Sequence, residues 1–222
     1  MALLGQAALA MWWEIAPDVR GEFGHWHSHE HFPERLGLPG FRRASRWVDA
    51  AGGPGVFVLY ELQDHAVLSS PAYAARLNAP TPWSTRLMPH HRSMVRCQCR
   101  VVQSAGGAVA GFAGTLRLQG GDPADAGRLQ AALASLARQP GLVGAHWLRH
   151  EAPALATTTE QRIRGGDGTA DHVLVVSGYE LGPVEAAMAQ LQDGLPAARL
   201  ERGSYRLAQS SVAGELDGIS PA

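Results

Sequence analysis

The heptapeptide VFVLYEL occupies residues 56–62, and a similar stretch, VLVVSGYEL, occupies residues 173–181. Both are nearly continuous apolar runs that end in Tyr-Glu-Leu, a pattern typical of strands that are covered on both faces. A second pair of motifs precedes them, because Leu-Pro-Gly-Phe at 38–41 and Gln-Pro-Gly-Leu at 139–142 each lead into a strand-like run. The chain therefore contains two copies of one pattern.

Hydrophobic periodicity separates strands from helices in both halves. Strands are predicted at about 7–16, 40–49, 56–62, 94–104, 108–118, 142–150, 172–181 and 200–210. Helices are predicted after Pro17-Asp18, at 124–138 behind the start signal Asp122-Pro123, and at 183–195 behind the start signal Gly182-Pro183. The resulting order in each half, β-α-β-β-α-β, is that of a ferredoxin-like unit.

We therefore predict an α+β fold made of two tandem ferredoxin-like (βαββαβ) repeats. Helices cover only one face of such a sheet, so the two antiparallel sheets would pack face to face and form an intramolecular α+β barrel. The predicted boundaries are 1–105 for the first repeat, 108–212 for the second and 213–222 for a C-terminal tail. This arrangement predicts a monomer, or a homodimer that uses an outer surface.

The composition excludes several classes of function. All 19 basic residues are arginine, and 20 acidic residues leave a net charge of −1 with no basic cluster. We therefore expect no nucleic-acid partner and no polybasic membrane anchor. The lack of lysine excludes P-loop, Schiff-base and pyridoxal-phosphate chemistry. The sequence also has no GxSxG motif, no CxxC pair and no GxGxxG after a strand, and we predict a protein without a bound cofactor.

Three further segments bear on the cellular location of the protein and on which residues are disordered. Cys97 and Cys99 alternate in a predicted strand, so they lie on one face and are predicted to be reduced. The apolar opening has no arginine ahead of it and is too short to span a bilayer, so it is predicted to be a strand ending near Ile15 in a cytoplasmic protein. The segment 151–171 lacks periodicity and is predicted to be a lid or a disordered loop.

Four motifs resemble a known superfamily. They are Trp26-His27-x-x-Glu30-His31-x-Pro33-Glu34-Arg35-Leu36, Leu38-Pro39-Gly40-Phe41, Tyr60-Glu61-Leu62 and Ser70-Pro71-x-Tyr73. Over residues 12–90 they resemble the dimeric α+β barrel superfamily, most closely its EthD-like and uncharacterised tandem-repeat branches. The superfamily includes cofactor-free monooxygenases, lactone isomerases, polyketide cyclases and haem-degrading enzymes, so the resemblance implies a small-molecule ligand. Where its pattern commonly shows Trp-Tyr, this chain has Trp26-His27.

Four histidines alternate through the first predicted helix. On a helix they form two i,i+4 pairs on nearly opposite faces, His25 with His29 and His27 with His31. The apolar neighbours of the second pair place it toward the sheet and the first pair toward solvent.

A proline follows these histidines. Pro33 cannot donate to the carbonyl of His29. The helix is therefore predicted to kink or end near Phe32 and to open a gap beside His31.

These features predict a set of site residues. His31 is the candidate acid/base, tuned by His27 and Glu30. The candidate substrate-binding residues are Trp26, Arg46, Tyr60 and Trp83. No metal site is predicted, because HExHxPE is not the HExxH pattern of zinc proteases.

Three functional hypotheses follow. The first is a small enzyme of isomerase, cyclase, dehydratase or cofactor-free monooxygenase type that acts on an apolar carbonyl-bearing or aromatic metabolite. The second is a non-catalytic small-molecule-binding or structural protein, in which His31 bonds a backbone carbonyl at the Pro-Gly turn. The third is a haem-binding protein, which needs an axial histidine in a much larger cavity.

Overall fold

Strands that are covered on both faces build a closed antiparallel barrel with helices on its outer face. The computed structural model describes residues 3–120, 125–195 and 199–215. The strands are β1 (Ala7–Glu14), β2 (Phe41–Asp49), β3 (Gly55–Leu62), β4 (Arg92–Gly106), β5 (Phe112–Gln119), β6 (Leu142–His150), β7 (His172–Gly178) and β8 (Arg199–Val212). The helices are α1 (Arg20–Trp26), α2 (Phe32–Leu36), α3 (Pro71–Asn78), α4 (Pro82–Leu87), α5 (Ala126–Leu136), α6 (Thr159–Arg164) and α7 (Leu181–Asp193). The predicted α+β class and the eight predicted strands are confirmed.

The strand order shows how the barrel closes within one chain. Around the barrel the strands run β1-β3-β2-β8-β5-β7-β6-β4. The first half thus contributes the row β4-β1-β3-β2, and the second half contributes the row β8-β5-β7-β6. Antiparallel pairing of β2 with β8 and of β4 with β6 joins the two rows along both edges.

Side chains fill the interior of the barrel. Trp12 and Trp47 stack on Phe57, with ring centroids 5.1 Å and 5.2 Å from it. Cys97 and Cys99 are free and buried in the same core, as predicted for two reduced residues on one strand face. The barrel interior around these side chains is therefore packed.

The outer face of each sheet row packs against helices. In the first half, β1 contributes Leu9, Met11 and Trp13 to a core shared with the first helical segment. All residues of β7 are buried, as expected for a strand covered on both faces.

The two Pro-Gly turns have the same backbone geometry. Gly40 and Gly141 precede β2 and β6 with φ values of 91° and 85°, a region that favours glycine. A Cβ on Gly40 would clash with Cγ2 of Val67, and a Cβ on Gly141 would clash with Cγ of Pro183. Both turns therefore require glycine for conformation and for space.

Segment 151–171 is ordered, so the disordered alternative for it is wrong. It contains α6, and Gly168 is fixed to β4 by two backbone hydrogen bonds: its N–H donates to the carbonyl of Met94 and its carbonyl accepts from the N–H of Arg96, each at 2.8 Å. We call residues 151–171 the strap.

Two helix starts differ from their predicted positions. The start signal Asp122-Pro123 lies outside the described residues, and α5 begins instead behind Asp125, whose carboxylate accepts from the N–H of Arg128. Helix α7 begins at Leu181, two residues before Pro183. No helix in the described part of the chain combines the length and the apolar character that a membrane crossing requires.

The turn glycines give a test of the fold. We expect Gly40→Ala to lower the free energy of unfolding by about 2–4 kcal/mol, because the left-handed backbone and the contact with Val67 both oppose a Cβ. Gly52→Ala is the matched control, since Gly52 has a φ of 84° but a Cβ added there would have no atom within 4 Å. Urea unfolding measures both, and equal losses would contradict the role of Val67.

Candidate functional site

A wide helical turn determines which side chains of the first helical segment face the sheet. Helix α1 continues into a π-helical turn, His27–His31, and then into α2. Of the two predicted outcomes, a kink or an end near Phe32, the end is therefore wrong. The N–H of Phe32 donates to the carbonyl of His27, five residues back. Pro33, the second residue of α2, needs no acceptor. The helix is therefore irregular not at Pro33 itself but in the preceding turn, His27–His31, which is π-helical.

The wide turn buries His27, Glu30 and His31. The ring of His27 lies 5.1 Å from that of His31 and 4.4 Å from that of Phe32, measured between centroids. His27 and His31 are 1% and 7% exposed, whereas His25 and His29 are exposed to solvent, as predicted. π-Helical turns of this kind occur frequently at functional sites.

A small cavity lies between this turn and the outer face of the first sheet row. Its volume is about 30 Å³, which is room for about two water molecules. Its apolar lining consists of Leu9, Met11, Leu77, Met88 and Met94.

Polar atoms without hydrogen-bond partners surround this cavity. Within the described part of the chain, these atoms are Trp13 Nε1, His27 Nδ1, His31 Nδ1, Arg35 Nη1, Tyr60 Oη and both ring nitrogens of His91. Each buried polar atom left unsatisfied costs about 1–3 kcal/mol. Such a concentration at one cavity indicates a place that a ligand or bound water occupies.

The three buried imidazoles are held neutral. Burial lowers the pKa of His27 well below its ordinary value, and the Arg46 guanidinium lowers it further. Burial and then the Arg35 guanidinium do the same to the pKa of His31. Burial lowers the pKa of His91 to about 3. At neutral pH each ring therefore offers one donor and one acceptor nitrogen.

The strap closes the cavity from the second half of the chain. Glu160 and Arg164 of α6 line the cavity, and Glu160 Oε1 lies 2.5 Å from Nη2 of Arg35. Arg164 is bonded in turn to Asp167, with 3.0 Å between Nη2 and Oδ2. Both acidic groups and both arginines are largely buried, so this is an interior ion-pair cluster.

The structure brings some of the predicted site residues together. Trp26 and Tyr60 line the cavity beside His27 and His31. The indole of Trp26 lies 4.6 Å from the ring of His31, measured between centroids. No hydrogen bond joins the His31 ring to any described residue, so the carbonyl bond of the structural hypothesis is absent from this part of the chain.

Glu30 lies outside the cavity. Its Oε1 accepts from Trp26 Nε1 at 2.9 Å and from Thr81 Oγ1 at 2.5 Å, and Ser84 Oγ lies 3.3 Å away. The carboxylate thus ties the π-helical turn to α4. It has no described hydrogen bond to His31 through which it could tune that ring directly.

Arg46 and Trp83 do not line the cavity either. Arg46 donates to the carbonyl of Gly24 and to Ser28 Oγ, and its guanidinium lies 5.7 Å from the ring centroid of Phe23. Trp83 is half-buried at the surface, where its Nε1 donates to Glu22.

Three cavity residues have no functional signal in the sequence analysis. His91 is 8% exposed, and its ring lies 4.9 Å from that of Trp13. Arg35 belongs to the resemblance motif without an assigned role, and Glu160 lies in the unpatterned strap. Glu160 and Arg35 are 125 residues apart, so no local pattern could pair them.

The cavity does not fit a haem. Small-molecule pockets usually measure about 300–1,000 Å³, whereas this cavity measures about 30 Å³. We therefore derive no chemistry from a haem group. Within the described ranges, no group of three or more His, Cys, Asp or Glu side chains is arranged to hold a metal ion.

Comparison with known proteins identifies the fold. No protein-family model and no curated protein matches the sequence. The structure is similar to that of a candidate monooxygenase from Fusobacterium nucleatum, with a TM-score of 0.59, 8% identity, and coverage of 96% of this chain and 97% of the other. An anthrone oxidase-like protein gives a TM-score of 0.57, 11% identity and 97% coverage of both chains. A candidate monooxygenase from Lactobacillus acidophilus gives a TM-score of 0.56, 10% identity, and coverage of 95% of this chain and 97% of the other.

These likenesses show that the chain has the fold of the dimeric α+β barrel proteins, as its motifs imply. At 8–11% identity they show the fold alone.

The neutral histidines predict sensitivity to acid. The unfolded chain binds a proton on His91 near pH 6.5, whereas the folded chain does so only near pH 3, so stability falls as the pH drops below about 6.5. The loss is about 1.4 kcal/mol per pH unit, or about 2 kcal/mol at pH 5.0 from His91 alone. Urea unfolding at pH 7.5 and at pH 5.0 gives the difference in the free energy of unfolding between the two pH values. We expect His91→Leu to reduce that difference by about 2 kcal/mol. The control, His25→Gln at an exposed position, should leave it unchanged, and an unaltered pH dependence in His91→Leu would contradict the burial of a neutral ring.

Proposed function

We propose that this protein is a small enzyme that uses acid/base chemistry on an apolar carbonyl-bearing or aromatic metabolite, of isomerase, cyclase, dehydratase or cofactor-free monooxygenase type. The observation that carries the proposal is the buried cavity at which His27 and His31 each present a ring nitrogen without a hydrogen-bond partner. Perturbed titratable groups that converge on one enclosed cavity are typical of active sites.

In this proposal His31 is the acid/base. Its neutral imidazole accepts a proton from a carbon next to the substrate carbonyl, which leaves an enolate in the cavity and an imidazolium on the helix. The new negative charge favours the charged imidazole and so opposes the effect of burial on its pKa. His27, at 5.1 Å between ring centroids, is placed to influence the same proton.

The remaining predicted residues have supporting roles in this proposal. Trp26 and Tyr60 form part of the cavity wall and contact the substrate. Glu30 acts through the indole of Trp26, to which it is hydrogen bonded, and thereby fixes the π-helical turn. Arg46 and Trp83 are left out of the proposed substrate contacts, because neither lines the cavity.

The described volume requires the site to enlarge before it accepts a substrate. The strap is the proposed moving part, because α6 spans only six residues and its Glu160 meets Arg35 across the cavity. Displacement of α6 would join the cavity to solvent without disturbing the barrel.

The proteins of similar fold support including oxygenation among the candidate reactions. One is described as anthrone oxidase-like and two as candidate monooxygenases. In the oxygenation form of our proposal, dioxygen is the co-reactant that accepts electrons from the enolate.

We also propose that the chain consists of two tandem ferredoxin-like repeats, residues 1–105 and 108–212, followed by a tail at 213–222, and that it belongs with EthD-like tandem-repeat proteins. The matching strand orders of the two rows and the two glycine-dependent turns support this assignment. The proposed protein is cytoplasmic, which its two buried free cysteines support. Its proposed partner is a small molecule, and it is a monomer or a homodimer through an outer surface.

One observation favours the alternative of a non-catalytic binding or structural protein. The cavity holds about two water molecules, which would satisfy several of the unpartnered atoms without any substrate. A proton-exchange experiment separates this alternative from the enzyme.

We expect the full chain to catalyse exchange of the α-protons of an aromatic ketone, such as α-tetralone or anthrone, in deuterated buffer. Proton NMR follows the exchange. His31→Gln should slow it by about 100-fold or more, because general acid/base catalysis contributes at least that much. The control is His25→Gln, which changes an exposed histidine of the same helical segment. An unchanged rate in His31→Gln, or no exchange above that of buffer in the unaltered chain, would refute the proposal.

A further inference from the structure

Two groups at the cavity have no part in proton transfer yet carry unpartnered hydrogen-bond donors. Arg35 is 3% exposed and Tyr60 is 1% exposed, and both line the cavity that holds His31. Within the described residues, neither Nη1 of Arg35 nor Oη of Tyr60 has a hydrogen-bond partner. Since buried polar groups are normally hydrogen bonded, both atoms indicate a missing acceptor.

The guanidinium of Arg35 is held on one side and open on the other. Its Nη2 donates to Glu160 Oε1 at 2.5 Å. Its Nη1 lies 4.0 Å from Glu34 Oε2, beyond hydrogen-bonding distance. Its Cζ lies 6.0 Å from the ring centroid of Tyr73. The ion pair with Glu160 therefore orients Arg35, and Nη1 has a longer ion pair with Glu34 but no hydrogen-bond partner.

Tyr60 supplies a second donor from the strand opposite the helix. Burial raises the pKa of its phenol, so the hydroxyl remains protonated at neutral pH. The hydroxyl lacks an acceptor although the ring is packed edge-on against Phe32 and Phe41, at centroid distances of 5.6 Å and 5.7 Å. The packing of the ring therefore fixes the direction of the Tyr60 hydroxyl, a donor without a described acceptor.

The charges that line the cavity favour an anion. They comprise Arg35, Arg96 and Arg164 against the single carboxylate of Glu160. The Arg164 guanidinium forms ion pairs with Asp167 at 3.0 Å and with Glu160 at 3.6 Å. Arg96 donates to the hydroxyl of Tyr73 at 2.9 Å, which leaves its charge uncompensated by any described carboxylate contact. The buried histidines are neutral and add no positive charge.

We infer that Arg35 Nη1 and Tyr60 Oη form an oxyanion-binding pair, so that the ligand carries an oxygen that is an enolate or phenolate when bound. The inference rests on the proposed function for the reaction, but the preference for an anionic oxygen is a separate property. In the reaction, the C–H electron pair becomes a new C=C bond, the carbonyl oxygen takes the negative charge between Arg35 and Tyr60, and the proton moves to His31. No oxidant or reductant is needed.

The test is titration of the full chain with 4-nitrophenol, whose phenolate absorbs in the visible. We expect binding to lower the apparent pKa of the probe by about one unit, which means that phenolate binds about tenfold more tightly than phenol. Tyr60→Phe should lose part of this preference. Arg35→Met combined with Glu160→Gln, which leaves no buried carboxylate unpaired, should abolish it.

One control keeps the result specific. Arg46→Met removes a comparably buried arginine outside the cavity and should retain the tenfold preference. Circular dichroism melting identifies any variant that fails to fold, in which case Tyr60→Phe, which removes one unpartnered hydroxyl, decides the question.

Three outcomes would overturn the inference. The first is equal affinity for phenol and phenolate, and the second is no binding of the probe. The third is a full phenolate preference in both the double variant and Tyr60→Phe. His31→Gln distinguishes it from the proposed function, because that variant should lose proton exchange and keep the phenolate preference. Proton exchange without a phenolate preference would refute the oxyanion pair alone. A phenolate preference without exchange would refute the acid/base enzyme alone.

Discussion

The missing backbone N–H of Pro33 is the constraint on which the candidate site depends. A regular helix would leave the carbonyl of His29 without its donor at this point. The chain instead widens by one residue at His27–His31 and continues as α2. That widening turns His27 and His31 to the sheet and carries the next turn, with Arg35, to the same cavity. The π-helical turn that precedes Pro33 thus accompanies the convergence of three polar side chains, His27, His31 and Arg35, on one cavity.

The barrel provides the surface against which the π-helical turn packs. Its interior is filled by aromatic and small side chains, including the stack of Trp12 and Trp47 on Phe57. The cavity beside His27 and His31 lies between sheet and helix, on the outer face of the first sheet row. The interior core stabilises the strands, and the outer layer can contain polar groups because the barrel does not depend on them for closure.

The sequence predicts those features that depend on local periodicity. The strand positions, the burial of His27 and His31 and the two Pro-Gly turns all follow from spacing within a few residues. The misassigned features depend on distant contacts. Arg46 is predicted to bind substrate, but it bonds to Gly24 and Ser28 and does not line the cavity. Glu160 and His91 reach the cavity only because the strap and the start of β4 meet the first helical segment, and no periodicity in either stretch signals this.

The strap gives the molecule an asymmetry that its two similar halves lack. It leaves the second half between β6 and β7 and covers a cavity in the first half, where Glu160 meets Arg35. The equivalent layer of the second half packs Leu133, Val176 and Met188. A dimer of identical halves would have to build each cover and each pocket twice. When the two halves are joined in one chain, the first half can provide the cavity and the second half can provide the strap that covers it. Substitutions in the strap can then alter access to the cavity without changing the histidines that line it.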